Sequence, residues 1–215
     1  MYESLKNKYF DSCAITIIHR RLKHFDDSSH WEHAERVCKR LARIGSQLTP
    51  AIHSSVLRTV CNAWCTSARF QEHILPCRFC GEHESDALRH YMCCTHSFTA
   101  LQELLPYGVS HDKGDGLAHF GMFAIDMDEQ QILINAIMVD ALQWAFNNLR
   151  VGATQSIAGT SALKQLLHAR MRQQSIRNVC CRRVLQMAQR SNDARLKFEP
   201  RTADLRNSNR GYLFS

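Results

Sequence analysis

Two pairs of residues that could bind a metal ion lie close together in the sequence. Cys77 and Cys80 are separated by two residues, and Gly81 follows them. Two thiolates at this spacing can hold one ion, and glycine permits the backbone turn that points N–H groups toward the sulfurs. A second pair of ligands is expected within about ten to twenty residues of the first. His90 and Cys94 supply that pair.

His90 and Cys94 are four positions apart, so a helix would place both side chains on one face. We expect Ser85 to cap this helix and Cys93 to point about 100° away. Cys94 is therefore the predicted fourth ligand, with Cys93 and His96 as reserves. The prediction is a closed Zn²⁺ site that supports folding rather than catalysis. The alternative is a set of buried thiols with a surface histidine.

The sequence around these ligands resembles that of a known family. The matching positions are Arg58-Thr59, Trp64 to Phe70, Cys77-x2-Cys80-Gly81, Glu84 or Asp86, His90-Tyr91 and Cys94, with similar helices from Trp31 onward. The pattern resembles the zinc-binding domain at the C-terminal end of non-LTR retroelement reverse transcriptases. The resemblance implies a zinc site at Cys77, Cys80, His90 and Cys94, and it implies nucleic-acid binding.

The polymerase of that family has no counterpart in this sequence. A polymerase needs an aromatic-x-Asp-Asp metal site, but the only Asp-Asp pair, Asp26-Asp27, has His24 at the aromatic position. The chain also has no room for palm and fingers domains, and no nucleophile stands beside a plausible base. The sequence therefore predicts a detached tail of such an enzyme and a protein that is not itself an enzyme.

Positive charge is concentrated in one segment of the chain. The formal net charge is +7, and residues 161–201 hold ten Lys and Arg against two acidic residues. The rest of the chain is nearly neutral. This asymmetry is expected when one arm of a protein contacts a polyanion.

Nine side chains are predicted to contact nucleic acid. Six are arginines of the basic segment that could bind phosphates without reading sequence: Arg170, Arg172, Arg177, Arg182, Arg183 and Arg190. Three lie on the predicted zinc knuckle, residues 77–96, where with Tyr91 they could combine phosphate contact and base stacking: Arg78, Phe79 and Arg89. The alternatives are a solvated charged helix face for the first group and packing around the zinc for the second.

The spacing of apolar residues predicts a mainly α fold. Residues 8–25 predict an amphipathic helix, and Asp26 to Ser29 could cap a second one from Trp31 to a stop at Gly45. Thr49-Pro50 predicts the start of a third helix that continues through Trp64. A short helix is predicted from Phe98 to Leu105, before Pro106.

The second half of the chain predicts a loop followed by two helices. Four of the nine glycines lie in 108–121, which indicates a loop or hinge. Asp126 and Asp128 are interpreted as caps rather than as an acid/base pair. Residues 132–149 predict a core helix, and Gly159-Thr160-Ser161 predicts the start of one long basic helix.

The predicted fold class is therefore a helical bundle with a small zinc-knuckle module and a long basic C-terminal helix. The predicted regions are 1–106 with the knuckle at 77–96, a hinge at 107–127, a helical hairpin at 128–201 and a tail at 202–215.

Cysteine usage predicts an intracellular, reducing compartment. The chain has ten cysteines but no apolar secretory region, which favours metal ligands and buried thiols over disulfides. Cys61, Cys65, Cys180 and Cys181 are predicted to be buried thiols. A mitochondrial presequence stays open as an alternative, because basic residues lie on the first amphipathic stretch. No run approaches the ~18 apolar residues of a membrane span, so no membrane partner is expected.

These features together favour an RNA-binding structural subunit of a large ribonucleoprotein, such as an organellar ribosome. Its expected partners are RNA and other protein subunits. The first alternative is a nucleic-acid-gripping part of a reverse-transcription machine whose polymerase is another chain. The second is a protein–protein scaffold.

Overall fold

The computed structural model describes residues 13–23, 31–70, 73–105, 118, 120–151 and 159–198, with side chains up to residue 190. Within these ranges the chain is mainly helical and has no strand, which confirms the predicted fold class. The expectations for 8–12, Asp26 to Ser29, Pro106, 107–117 and the tail lie outside the described residues.

The described residues form the following main helices, given in chain order. They are α1 (13–22), α2 (Trp31–Gln47), α3 (Pro50–Val60), α4 (Leu88–Cys93), α5 (Thr95–Leu104), α6 (Glu129–Val151), α7 (Gly159–Arg177) and α8 (Val179–Phe198). A single 3-10 turn, Ala68–Phe70, lies between α3 and α4. No described helix is long and apolar enough to span a bilayer.

Two helix starts agree with the sequence predictions. The Thr49 hydroxyl accepts the N–H of Ile52 at 3.5 Å, and Pro50 occupies the first position of α3. Asp128 Oδ1 accepts the N–H of Gln131 at 2.7 Å and so caps α6. Capping is therefore the role of Asp128, whereas Asp126 is exposed.

Two helix ends differ from prediction. Helix α2 continues through Gly45 to Gln47, because an exposed glycine inside a helix lowers its stability without ending it. Helix α3 ends at Val60 rather than at Trp64. The chain turns at Asn62, which has a φ of 49°, and this turn brings the Trp64 side chain into the core.

The prediction of a single basic helix is also wrong. The helix is interrupted at Asn178, which separates α7 from α8. The Asn178 side-chain oxygen accepts the N–H of Cys181 at 2.9 Å and caps the second helix. The arginines of the basic segment are thus distributed over two helices.

Helix α6 is the centre of the core. Every side chain from Ile132 to Gln143 is buried, and α2, α3, α7 and α8 pack around the helix. One apolar cluster runs from Ile18 in α1 to Ala188 in α8 and includes residues of the knuckle. The predicted regions 1–106 and 128–201 therefore share a single core.

Candidate metal centre

The knuckle turn has the geometry that its sequence predicts. Gly81 has a φ of 79°, in the left-handed region where glycine is favoured, and its N–H donates to the Cys77 carbonyl at 2.8 Å. The N–H of Phe79 points at the Cys77 sulfur, 3.4 Å away. The turn thus presents sulfur atoms on one side and supplies a backbone donor to one of them.

Four side chains converge next to this turn. The sulfurs of Cys77, Cys80 and Cys94 and a ring nitrogen of His90 all lie within 4.8 Å of one another. Ligand atoms about 2.3 Å from an ion, at tetrahedral positions, are about 3.8 Å apart. Cys80 Sγ and His90 Nε2 are 3.3 Å apart. This cluster could hold a metal ion.

Cys94 reaches the cluster differently from the way its spacing suggests. Helix α4 ends at Cys93, and Cys94 is an extended residue with φ −63° and ψ 125° between α4 and α5. The helix start differs too, since Ala87 precedes it without a side-chain cap and Ser85 Oγ donates to the His83 carbonyl. The break at Cys94, rather than helical periodicity, turns its sulfur toward the other ligands.

The two reserve residues lie outside the cluster. Cys93 is half-buried and is not among the four converging ligands. The Nδ1 of His96 lies 3.0 Å from the Phe79 carbonyl, to which it can donate a hydrogen bond. His96 therefore holds the knuckle turn in place.

One cysteine of the cluster, Cys94, is favoured as a thiolate even without a bound ion. The pKa of Cys94 is lowered to about 3, chiefly because the Cys77 thiol donates a hydrogen bond to its sulfur. The same hydrogen bond, together with burial, raises the pKa of Cys77. Burial also raises the pKa of Cys80. A cation that replaced the shared protons would be held by preorganised sulfur ligands.

Glu82 lies behind the histidine ligand. Its Oε2 is 3.5 Å from His90 Nδ1, the ring nitrogen on the side away from the cluster. Carboxylates in this position orient metal-binding histidines and fix their tautomer. The arrangement leaves His90 Nε2 for the ion.

An aromatic cluster joins the knuckle to the core helix. Tyr91 packs against Phe79 with ring centres 4.9 Å apart and against Phe146 of α6 at 5.0 Å, and Trp64 lies 5.2 Å from Phe146. All four rings are at most 1% exposed. The sequence reasoning missed this cluster, because nothing in the spacing of the four residues relates Phe146 to the knuckle.

Tyr91 also links polar groups that the sequence left unassigned. Its O–H donates to Asp86 Oδ1 at 2.7 Å and accepts the N–H of Arg78 at 3.2 Å. The other oxygen of Asp86 accepts the N–H of Ser67 at 2.7 Å. The buried Asp86 thus fastens the segment after α3 to the knuckle.

The predicted nucleic-acid contacts on the knuckle divide into two groups. Phe79 is fully buried, so its predicted stacking on bases is wrong and its ring packs inside the protein. Arg89 is exposed and Arg78 is half-buried. Arg69 was not predicted, yet its exposed side chain lines a groove of about 180 Å³ together with Arg89.

On the basic helices, Arg170 departs from the prediction. It is directed into the protein, where its Nε lies 2.8 Å from Asp140 and its guanidinium lies over the Trp144 ring. Its role is therefore internal. The other predicted arginines are exposed, and no described carboxylate lies within 4.0 Å of them: Arg172, Arg177, Arg182, Arg183 and Arg190.

The remaining predicted thiols lie outside the candidate metal cluster. Cys181 is buried, and its pKa is raised to about 12, chiefly by burial. Cys61, Cys65 and Cys180 are half-buried, and burial raises the pKa of Cys61 and Cys180. Burial keeps these three thiols, Cys61, Cys180 and Cys181, protonated at neutral pH.

No protein-family model, curated protein or solved structure matches the chain. The geometry of the described residues therefore carries the functional argument.

Proposed function

We propose that the protein is a zinc-stabilised, non-catalytic RNA-binding subunit of a large ribonucleoprotein. The observation that carries the proposal is the set of exposed arginines on α7 and α8 that have no carboxylate partner among the described residues. Two exposed basic side chains do have carboxylate partners, Arg43 with Glu129 and, on α7 itself, Lys164 with Glu103. Cations whose charge is not neutralised by a neighbouring carboxylate are available to an external polyanion.

The chemistry of the donor set supports zinc as the ion. Three thiolates and one imidazole, all within 4.8 Å of one another, are the donor set of one class of structural zinc site. All four positions are filled by protein side chains, so no position remains for a reacting water. The ion would stabilise the fold and hold Arg78 and Arg89 at the surface of the knuckle.

The form of the basic surface supports nucleic acid. The guanidinium group presents several N–H donors in a planar fork that matches phosphate oxygens. The five exposed arginines are divided between two helices that meet at Asn178: Arg172 and Arg177 on α7, and Arg182, Arg183 and Arg190 on α8. They can therefore contact an RNA strand whose backbone bends. A flexible single strand of RNA suits this surface better than a straight duplex does.

Two exposed apolar residues support a place in an assembly. Ile176 is 66% exposed and Val179 is 57% exposed, and they flank the Asn178 break. Apolar side chains beside a basic surface are suited to contact a neighbouring protein subunit while the arginines hold RNA. The partners we propose are therefore RNA and another protein chain, inside a reducing compartment that keeps the thiols free.

A salt titration tests the proposal. Fluorescence anisotropy of a labelled single-stranded RNA should show binding. The logarithm of the association constant should fall linearly with the logarithm of the salt concentration. The slope should be about −3.5 if five phosphates are neutralised. Replacing Arg172, Arg177 and Arg183 by glutamine should flatten the slope by about 2. Arg43→Gln removes a charge that is already paired with Glu129 and should leave the slope nearly unaltered.

Other outcomes of this titration favour other functions. Absence of RNA binding at low salt, with the fold intact, would contradict the proposal and favour the protein scaffold. Co-purification of a separate polymerase chain with the native protein would instead favour a part of a reverse-transcription machine.

A further inference from the structure

A cavity of about 260 Å³ lies between the end of α5 and the two basic helices. Leu105, Met171 and Leu185 form its floor, and each of them is at most 8% exposed. The side chains of its rim are exposed, and none of the residues that line it is acidic. The cavity thus has an apolar floor and a polar, positively charged rim.

Two arginines of the rim come from different helices. Arg172 belongs to α7 and Arg182 to α8. The Nε of Arg182 donates to the Ser175 carbonyl at 3.1 Å, which holds the guanidinium at the cavity. Its terminal amino groups have no partner among the described residues. Guanidinium groups bind phosphate oxygens through several N–H donors, so two of them at one opening suit an anionic ligand.

Two amides complete the rim. Gln186 and Gln189 are three positions apart on α8, so their side chains lie on the same face and both line the cavity. Each carboxamide offers both a hydrogen-bond donor and an acceptor. An edge of a nucleobase presents the complementary groups, and its flat face matches an apolar floor.

We propose that this cavity binds one nucleotide of a single-stranded RNA, with its base on the floor and its phosphate between Arg172 and Arg182. The inference rests on the proposed function and adds a defined binding site to it. The volume of about 260 Å³ is below the roughly 300–1,000 Å³ of sites for drug-sized ligands, so it suits one base rather than two. Splayed bases of this kind are how proteins read single-stranded RNA.

Adjacent arginines provide a matched pair of variants. Arg182 lines the cavity, whereas Arg183 is exposed on the same helix outside it. Arg182→Gln should weaken RNA binding at least tenfold, which corresponds to about 1.4 kcal/mol, because it removes a charge-assisted contact. Arg183→Gln removes the same charge and should weaken binding only about twofold. Equal losses in the two variants would overturn the inference.

A second experiment tests the base position without changing charge. Gln186→Trp places a large ring at an exposed position on the rim and should weaken RNA binding about tenfold by filling the cavity. Single-stranded RNA containing 4-thiouridine should crosslink to the peptides that carry Met171 or Leu185 in the parent chain, but not in this variant. Crosslinks confined to other peptides would contradict the inference.

The outcomes separate this inference from the proposed function. RNA binding that weakens steeply with salt, but equally in Arg182→Gln and Arg183→Gln, would keep the RNA-binding function and remove the nucleotide site. Failure of RNA to bind at any salt concentration would remove both. Tighter binding of an acidic, leucine-containing peptide than of RNA at the same cavity would also overturn the inference, because the floor would then serve a peptide side chain.

Discussion

Arg170 on α7 and Asp140 on α6 form a two-point ion pair inside the protein. Arg170 Nε lies 2.8 Å from Asp140 Oδ2, and Nη2 lies 3.1 Å from Oδ1. Ser55 of α3 and Gln174 of α7 also donate to this carboxylate, at 2.7 and 3.1 Å. The side chain of Asp140 is 1% exposed, so all of its acceptors are satisfied by protein. One carboxylate thus ties together three helices.

Removal of the arginine from this pair should destabilise the fold. Arg170→Ala leaves the Asp140 charge buried and partly unpaired, and we expect the free energy of unfolding to fall by about 3–5 kcal/mol. Urea unfolding followed by circular dichroism measures this change. Arg172→Ala, two positions away and exposed, should change it by no more than about 0.5 kcal/mol. A similar small change in both variants would contradict an internal role for Arg170.

The two neighbouring cysteines should differ in metal binding. Cys94→Ser removes a ligand atom from the cluster, so the purified chain should lose its bound zinc and melt at a lower temperature. Cys93→Ser alters a side chain outside the cluster and should retain about one zinc per chain. Elemental analysis of both variants measures the metal content. Equal zinc content in the two variants would exclude the proposed ligand set.

Metal binding should release protons in a predictable number. The pKa of Cys94 is about 3, so Cys94 is already a thiolate at neutral pH and contributes no proton. The pKa values of Cys77 and Cys80 are raised, so both thiols hold their protons at pH 7 and lose them to the ion. Affinity should therefore rise with pH.

Calorimetric titration of the folded apoprotein with zinc, in two buffers of different ionisation enthalpy, measures this number. We expect about two thiol protons per ion. Release of three would mean that Cys94 is protonated in the apoprotein, which the hydrogen bond from Cys77 argues against.

Arg40 should matter for stability although no carboxylate in the described part of the chain pairs with it. It is 7% exposed, and its guanidinium donates to the carbonyls of Met122, Ala124 and Ile125 at 2.8, 2.7 and 3.5 Å. Arg40→Met would leave these carbonyls without that donor and should cost about 2–4 kcal/mol. Thermal unfolding measures the loss. Lys39→Met, at an exposed position of the same helix, should leave the melting temperature nearly unchanged.

Local sequence patterns were sufficient for the features that depend on few neighbours. The knuckle follows from two cysteines and a glycine, and the start of α3 follows from Thr49-Pro50, because turns and caps are determined within a few residues. The mainly helical fold follows from apolar spacing for the same reason. The set of four converging side chains was also predicted. Cys94 reaches it, however, because one helix ends before Cys94 and the next begins after it, which periodicity does not show.

Features that depend on distant residues were not predictable. Arg170 lies on the same face of α7 as the buried Leu163 and Leu167, but only the fold places Asp140 beside it. The break at Asn178 is marked locally, since the Asn178 side chain accepts the N–H of Cys181. How the two basic helices then pack against each other is not a local feature. The cavity is lined by residues from α5, α7 and α8, so it could not be predicted either.

The contact of Tyr91 with both Phe79 and Phe146 couples the knuckle to α6, the longest of the described helices. Removal of a bound ion would loosen the packing of Phe79 against Tyr91 and leave a gap between these rings and α6. Backbone amides in the middle of α6 should then exchange with deuterium faster, although they lie far along the chain from any ligand.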